Sequence, residues 1–279
     1  MLGRARIAWV AVALAGCGET APTTDDAQAS ERVAGAFDSS SELARLVVPL
    51  QASSDLAGMT ESAARTQHIT NASMAFKNLV ANPACVRITT DSATFLDVAF
   101  DRCRIAIIFT LDGSLHAGVA IEAPGGMPSA VVTSVTSPGL TFKGPLHGIT
   151  LSGDFELRHP IPPGSAPVQL TGELGFVNDT GDELTLSTSA EWVVANNCVT
   201  FAGGAQLTGN VLAELGPIAL SGEQIQSCRN QCPSAGHVEL SYGRGTLLAW
   251  TYTGAKTAQV IGLHGKTIEV ALPCGGGSD

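Results

Sequence analysis

The side chains that bear most directly on chemistry are seven cysteines and six histidines, and their spacing sorts the reactions open to them. With Cys17 set apart, Cys85, Cys103, Cys198, Cys228, Cys232 and Cys274 form an even set. An even set in an oxidising compartment favours disulfides over free thiols. Spacing leaves many connectivities open; the pairing taken here is Cys85–Cys103, Cys198–Cys228 and Cys232–Cys274. The first closes a local hairpin, and the last ties the two ends of a C-terminal meander. A metal set of Cys228, Cys232 and His237 is the rival. Zinc sites usually pair C-x-x-C units, whereas this spacing is C-x-x-x-C with no second unit, so neither metal nor cofactor is expected. His68, His116, His147, His159, His237 and His264 show no metal-ligand spacing on a helix and no H-E-x-x-H. His159-Pro160 and His264-Gly265 read as solvated turn residues. No G-x-S-x-G elbow, phosphate-cradling loop or dinucleotide fingerprint occurs.

Two acidic sets remain. Asp97 and Asp101 share a strand face about 13 Å apart, at about 3.3 Å per residue. Paired glycosidase carboxyls sit closer, at roughly 5–9.5 Å, and Asp101 reads as a turn residue before Arg102 and Cys103. The run Asn178-Asp179-Thr180-Gly181-Asp182 alternates oxygen side chains as calcium loops do. It lacks their bidentate glutamate and their length, and reads as a hairpin turn. No residue is assigned to catalysis; an acid–base dyad assembled across two strands is what linear spacing does not rule out.

These side chains must be held by two kinds of element. Ser41 is an N-cap candidate for a helix over 42–57, with Leu43, Leu46, Val47 and Leu50 at i, i+3, i+4, i+7. A second helix is expected over about 60–81, stopped by Asn82-Pro83. After Cys85 the period changes from 3.6 to 2. Ile149, Leu151, Gly153, Phe155 and Leu157 alternate with polar residues, as do Val168 to Phe176 and Leu184 to Val194. Strands are expected near 238–242, 248–252, 257–263 and 267–273. The fold class is therefore mainly β: long antiparallel strands in a coiled sheet or sandwich, with a short N-terminal helical segment packed on it. Helical segment, β domain and disordered tail are placed at 41–82, 83–274 and 275–279. A Leu-(Ser/Thr)-Gly pattern puts Gly153, Gly172 and Gly209 on the apolar side of their strands. There they make room for the helices or for coiling of the sheet, or line a groove for an apolar ligand.

The first residues carry a different signal. Arg4 and Arg6 precede an apolar run from Ile7 to Ala15, far shorter than the roughly 20 residues of a membrane-spanning helix. Small residues Ala15 and Gly16 lead into Cys17. The segment Leu14-Ala15-Gly16-Cys17 resembles the lipobox of bacterial lipoprotein signals; an ordinary signal peptide with a chance cysteine is the alternative. The resemblance implies removal of residues 1–16 as a signal peptide, diacylation of the Cys17 thiol and acylation of the new amine. Such chains hold a protein on a bilayer. Gly18, where inner-membrane lipoproteins often carry aspartate, implies the outer membrane. The polar stretch 17–40 then serves as a flexible tether. The stretches Cys85 to Cys103 and Cys232 to Cys274 likewise resemble uncharacterised bacterial β-rich lipoproteins, which bring no activity with them.

Composition narrows the partners. Without residues 1–16 the chain has 263 residues and a formal charge of −12 in place of −10. Four lysines and scattered arginines make no cationic stripe, so no nucleic acid is expected. The expected function is that of an exported, lipid-anchored protein with a structural or binding role at the cell envelope and no catalysis. Its partners would be the membrane, through the lipid, and an envelope protein. The alternative is a carrier of an apolar ligand, a lipid or acyl chain, on the glycine-lined face; a hydrolase ranks third.

Overall fold

The computed structural model describes residues 48–271 apart from 52–53, 92–93, 106–109, 145–147, 196–197, 213–215, 229–233, 243–244, 253, 255–256 and 262–266. Cys17, Cys232, Cys274, His147, His264, the segment 1–40 and the tail 275–279 lie outside the described residues. The chain groups into two compact units, Arg45–Val193 and Val194–Asp279, the latter together with Met1–Ala44.

In the first unit, period-2 sequence builds β1 (Val86–Asp91), β2 (Phe95–Arg104), β3 (Thr110–Glu122), β4 (Ala130–Lys143), β5 (Gly148–Pro160), β6 (Val168–Asn178) and β7 (Glu183–Ala195). Each strand pairs antiparallel with the next in sequence. Strands joined by short turns need no crossover, which is why a meander follows from this pattern. The register lines up Leu96, Ala117, Val135 and Phe155 across four strands, all buried. One residue out of step run Asp97, His116, Thr136, Asp154, Glu173 and Ser187, on the polar face. Because side chains alternate along a strand, a single-residue shift separates an inner face from an outer one.

Two β-bulges interrupt the ladder. On β4, Pro138 has no N–H to offer, and the register steps past it on both sides. On β2, Asp101 and Arg102 together oppose Asp112, with Arg102 at φ 50°. Asp101 is thus part of a bulge within the strand rather than a turn, and the even spacing expected from Asp97 does not extend to it.

The helix α1 (Glu61–Asn78) lies on the inner face. Thr60 caps it by accepting a hydrogen bond from the Ala63 N–H at 3.3 Å. Its buried positions are Ala64, His68, Ile69, Ala72 and Phe76, a stripe of four-residue steps. The alanines keep the stripe shallow, so the helix lies close to the sheet. Phe76 meets Phe100 edge to face, ring centres 6.2 Å apart. Beyond α1 the chain is pinned twice: the Ala81 N–H donates to the Arg104 carbonyl at 2.7 Å, and Cys85 is joined to Cys103.

The helix expected over 42–57 differs where it is described. Val48–Leu50 and Ser54–Leu56 are single 3-10 turns. Pro49 supplies no backbone donor and crowds the preceding turn, so an α-helix does not run through it. The apolar periodicity still reported burial at Leu50, and Leu56 beyond it is inside as well. No described helix is long and apolar enough to cross a membrane.

The second unit repeats the meander with β8 (Cys198–Gly209), β9 (Ile218–Cys228), β10 (Ala235–Tyr242), β11 (Gly245–Tyr252), β12 (Thr257–Ile261) and β13 (Thr267–Ala271). The last four are the strands expected between 238 and 273. Its interior includes Leu207 opposite Ile218, with Ile225, Leu240 and Ala249. The protein is mainly β; among the described residues it is built of long antiparallel strands with one α-helix packed on them.

Candidate functional site

Two histidine sets emerge in the first unit, one on each face. On the inner face, α1 brings His68, β4 brings Thr133 and β5 brings His159, all three buried. His68 Nε2 lies 3.5 Å from Thr133 Oγ1, while its Nδ1 is buried with no hydrogen-bond partner. His159 Nδ1 sits 3.2 Å from the Pro160 carbonyl, an acceptor, so Nδ1 carries the proton and donates. Burial pushes the His68 imidazole down to about 4, and His159 nearby adds to the shift. Burial lowers His159 too, offset in part by the Pro160 carbonyl. Both rings are therefore neutral near pH 7. His159, expected as a solvated turn residue, is in fact the next inward position after Leu151, Gly153, Phe155 and Leu157. The alternation runs on to the end of the strand.

On the outer face, His116 Nδ1 lies 2.6 Å from Asp97 Oδ1, with the Phe95 ring beside it at 5.4 Å. This is an acid–base dyad across two strands, in the distance range that general base chemistry requires. Nucleophilic catalysis also needs a hydroxyl or thiol on the free Nε2 and a donor pair for the developing oxyanion. Thr136 opposes His116 in the register, yet no hydrogen bond joins them. Asp97 and His116 are each about half exposed, at 47% and 52%, so water screens the pair. Further along the same face, Arg158 donates two hydrogen bonds to Glu122, at 2.9 and 2.6 Å. Those bonds hold the Glu122 carboxyl below its usual range.

The glycines expected to line a groove are placed differently from one another. Gly153 lies at φ +120° beside the β4 bulge, where a Cβ would sit 2.3 Å from the Glu173 carbonyl oxygen. Gly172 faces Phe155, and a Cβ there would come within 2.5 Å of Phe155 Cα and Cβ. Neighbouring strands, not an open trough, fill the space these two residues leave. Gly209 is the exposed last residue of β8, in the other unit.

The remaining candidates resolve into local structure. Asn178 Oδ1 accepts from the Thr180 and Asp182 N–H groups, and Asp182 Oδ2 accepts from Asn178 and Thr180. The Asn178, Thr180 and Asp182 oxygens are thus turned onto their own hairpin, while Asp179 Oδ2 accepts from the Gly148 N–H on β5. Cys85–Cys103 is a disulfide, closing 18 residues. Cys198 opposes Cys228 in the ladder, and Cys198 is disulfide-bonded. His237 Nδ1 is 3.1 Å from Thr251 Oγ1. Among the described residues no three His, Cys, Asp or Glu side chains gather as metal ligands.

Sequence reasoning missed both histidine sets. For His116 and Asp97, 19 positions apart, the available signal was strand alternation combined with a register. For His68 it was the Ala64, His68, Ala72, Phe76 stripe, whose small residues weaken the apolar pattern. Compared with known proteins, the chain matches no family model, no curated protein and no solved structure.

Proposed function

We propose that this is a lipid-anchored exported protein, held through Cys17 at the cell envelope and most simply at the outer membrane, with a structural or binding role. The observation that carries the reading is the contrast between the two faces of β2–β7. The inner face carries α1 and a buried apolar layer; the outer face is left open, polar and acidic. Asp154 and Glu173 stand directly opposite each other there. Like charges so placed weaken a sheet by a few tenths of a kcal/mol or more, roughly 0.2–1. Such an opposed pair is suited to contact with something outside. The dyad of Asp97 and His116 belongs to the same wet surface, each side chain about half exposed. The carrier reading draws no support from Gly153 and Gly172, whose space is filled by their own sheet.

The test is metabolic labelling with palmitate and fractionation of cells producing the wild type or Cys17→Ala. The expected result is label on the wild type only, in the membrane fraction, with the Cys17→Ala chain released as a soluble protein. Unlabelled wild type in the soluble fraction would remove the anchor from the account.

A further inference from the structure

We propose that His68, Thr133 and His159 form an acid-sensitive latch that holds the N-terminal part of α1 on the sheet near neutral pH and releases it on acidification. The inference goes beyond the anchoring role and does not depend on it.

The geometry is unusual for a core. Two imidazoles lie between a helix and a sheet beside an aliphatic cluster that includes Leu56, Ala64, Ile69, Val119, Ile121 and Val131. His68 is 1% exposed and has an unpartnered Nδ1, so the ring is accommodated only as a neutral group. A second proton on either ring would need a buried acceptor. None is supplied. On α1 the nearby charged side chains are Glu61 and Arg65, bonded to each other. On the preceding turn Asp55 accepts from Asn71 on the protein surface. From β3 and β5, Glu122 and Arg158 pair on the outer face. The inner positions of β4 beside Thr133 are Val131 and Val135. Among the described residues no carboxylate is a hydrogen-bond partner of either imidazole, and each imidazolium would repel the other.

The sign of the linkage follows. A released helix exposes His68 near its ordinary value of 6.5, whereas the docked ring is held at about 4. The released state therefore binds a proton that the docked state refuses. Docking is at full strength above 6.5 and weakens as pH falls through that window towards 4. The two ends of α1 are not equivalent. Its C-terminal end is pinned by Phe76 on Phe100, the Ala81 bond to Arg104 and the Cys85–Cys103 bridge. Opening should therefore hinge near Leu79 and free the turns from Glu61 to about Asn71.

The test is amide hydrogen exchange on the full chain carrying Cys17→Ala, compared at about pH 7.5 and about pH 4.5 after correction for intrinsic rates. The expected result is an acceleration of about tenfold or more over 61–71, with much less change over 74–78 and in β2–β4. His68→Met keeps the volume and removes the His68 titration, and should weaken that selective acceleration several-fold, leaving only what His159 contributes. Uniform acceleration across α1 and the strands, no acceleration at all, or the same selective effect in His68→Met would each overturn the latch. Should His68→Met fail to fold, imidazole titration of the parent chain by NMR decides. The latch requires His68 to stay neutral well below pH 6, and a His68 midpoint near 6.5 with α1 still docked contradicts it.

Discussion

His159 and His116 sit on strands of the same sheet, one facing in and the other out, and their surroundings differ in every respect that matters to an imidazole. His159 is 7% exposed, turned towards α1, and donates to the Pro160 carbonyl beside it. His116 stands half in water against a carboxylate and an aromatic ring. The rows that hold them are set by strand alternation, not by residue type: Leu96, Ala117, Val135 and Phe155 lie one position away from Asp97, His116, Thr136 and Asp154. Burial makes the inner histidines sensitive to acid and silent as nucleophile partners. Exposure leaves the outer one half in water with a carboxylate partner. The comparison locates the stability of this unit on the inner face and its free surface on the outer one.

Substitutions can break that division, beginning with the helix contact. Phe76→Ala removes a fully buried ring from between α1 and β2 and should cost about 3–5 kcal/mol in urea unfolding of the Cys17→Ala chain. A loss below about 1 kcal/mol would mean that α1 does not close the inner face. Replacing Cys85 and Cys103 together by alanine opens an 18-residue loop and should cost about 2–4 kcal/mol. Peptide mapping without reduction should recover that bridge directly.

Two glycines on β6 sharpen the contrast at one strand. Gly172→Ala drives a methyl against Phe155 on the inner side, and a penalty of about 1–3 kcal/mol is expected. Gly175→Ala, whose Cβ would meet the Ser152 hydroxyl at 3.3 Å and the Ser152 carbonyl oxygen at 3.8 Å, should stay within about 0.5 kcal/mol. Equal penalties would contradict the assignment of faces. The smallest effect belongs to Glu122→Gln. The pair with Arg158 is about two-fifths exposed on the glutamate side, so its loss should cost about 0.2–1 kcal/mol, shrinking with added salt. Because the Glu122 carboxyl is held low, its contribution is present above the ordinary carboxylate range. It fades as pH falls through that range and below.

Much of this architecture can be read in the sequence where one physical rule acts alone. The alternation from Ile149 to Arg158 places Leu151, Phe155 and Leu157 inside, as found. Cys85 and Cys103 flank a turn that brings them 5.4 Å apart at Cα, and they form the pair taken for them among the many that spacing leaves open. Legibility fails where a second rule intervenes. From Pro49 onward the expected helix gives only single 3-10 turns, although Leu50 remains buried. The bulge at Asp101 and Arg102 interrupts a period that counting treats as unbroken. Gly153 and Gly172 do lie on the apolar face, but a bulge and the Phe155 side chain use the space they leave. His116 finds Asp97 only through a register that no local pattern encodes, and His68 is hidden in a stripe of alanines. The lipobox at Leu14–Cys17 is read from residue type alone and stands as a proposal about address rather than about structure.

The division between a closed inner face and an open outer one is tested most directly by histidine carbethoxylation of the folded Cys17→Ala chain near neutral pH, read residue by residue by mass spectrometry. The account predicts rapid modification of His116 and strong protection of His68 and His159. Modification of His68 at a rate comparable with His116 would contradict it, because the inner face would then be open to solvent.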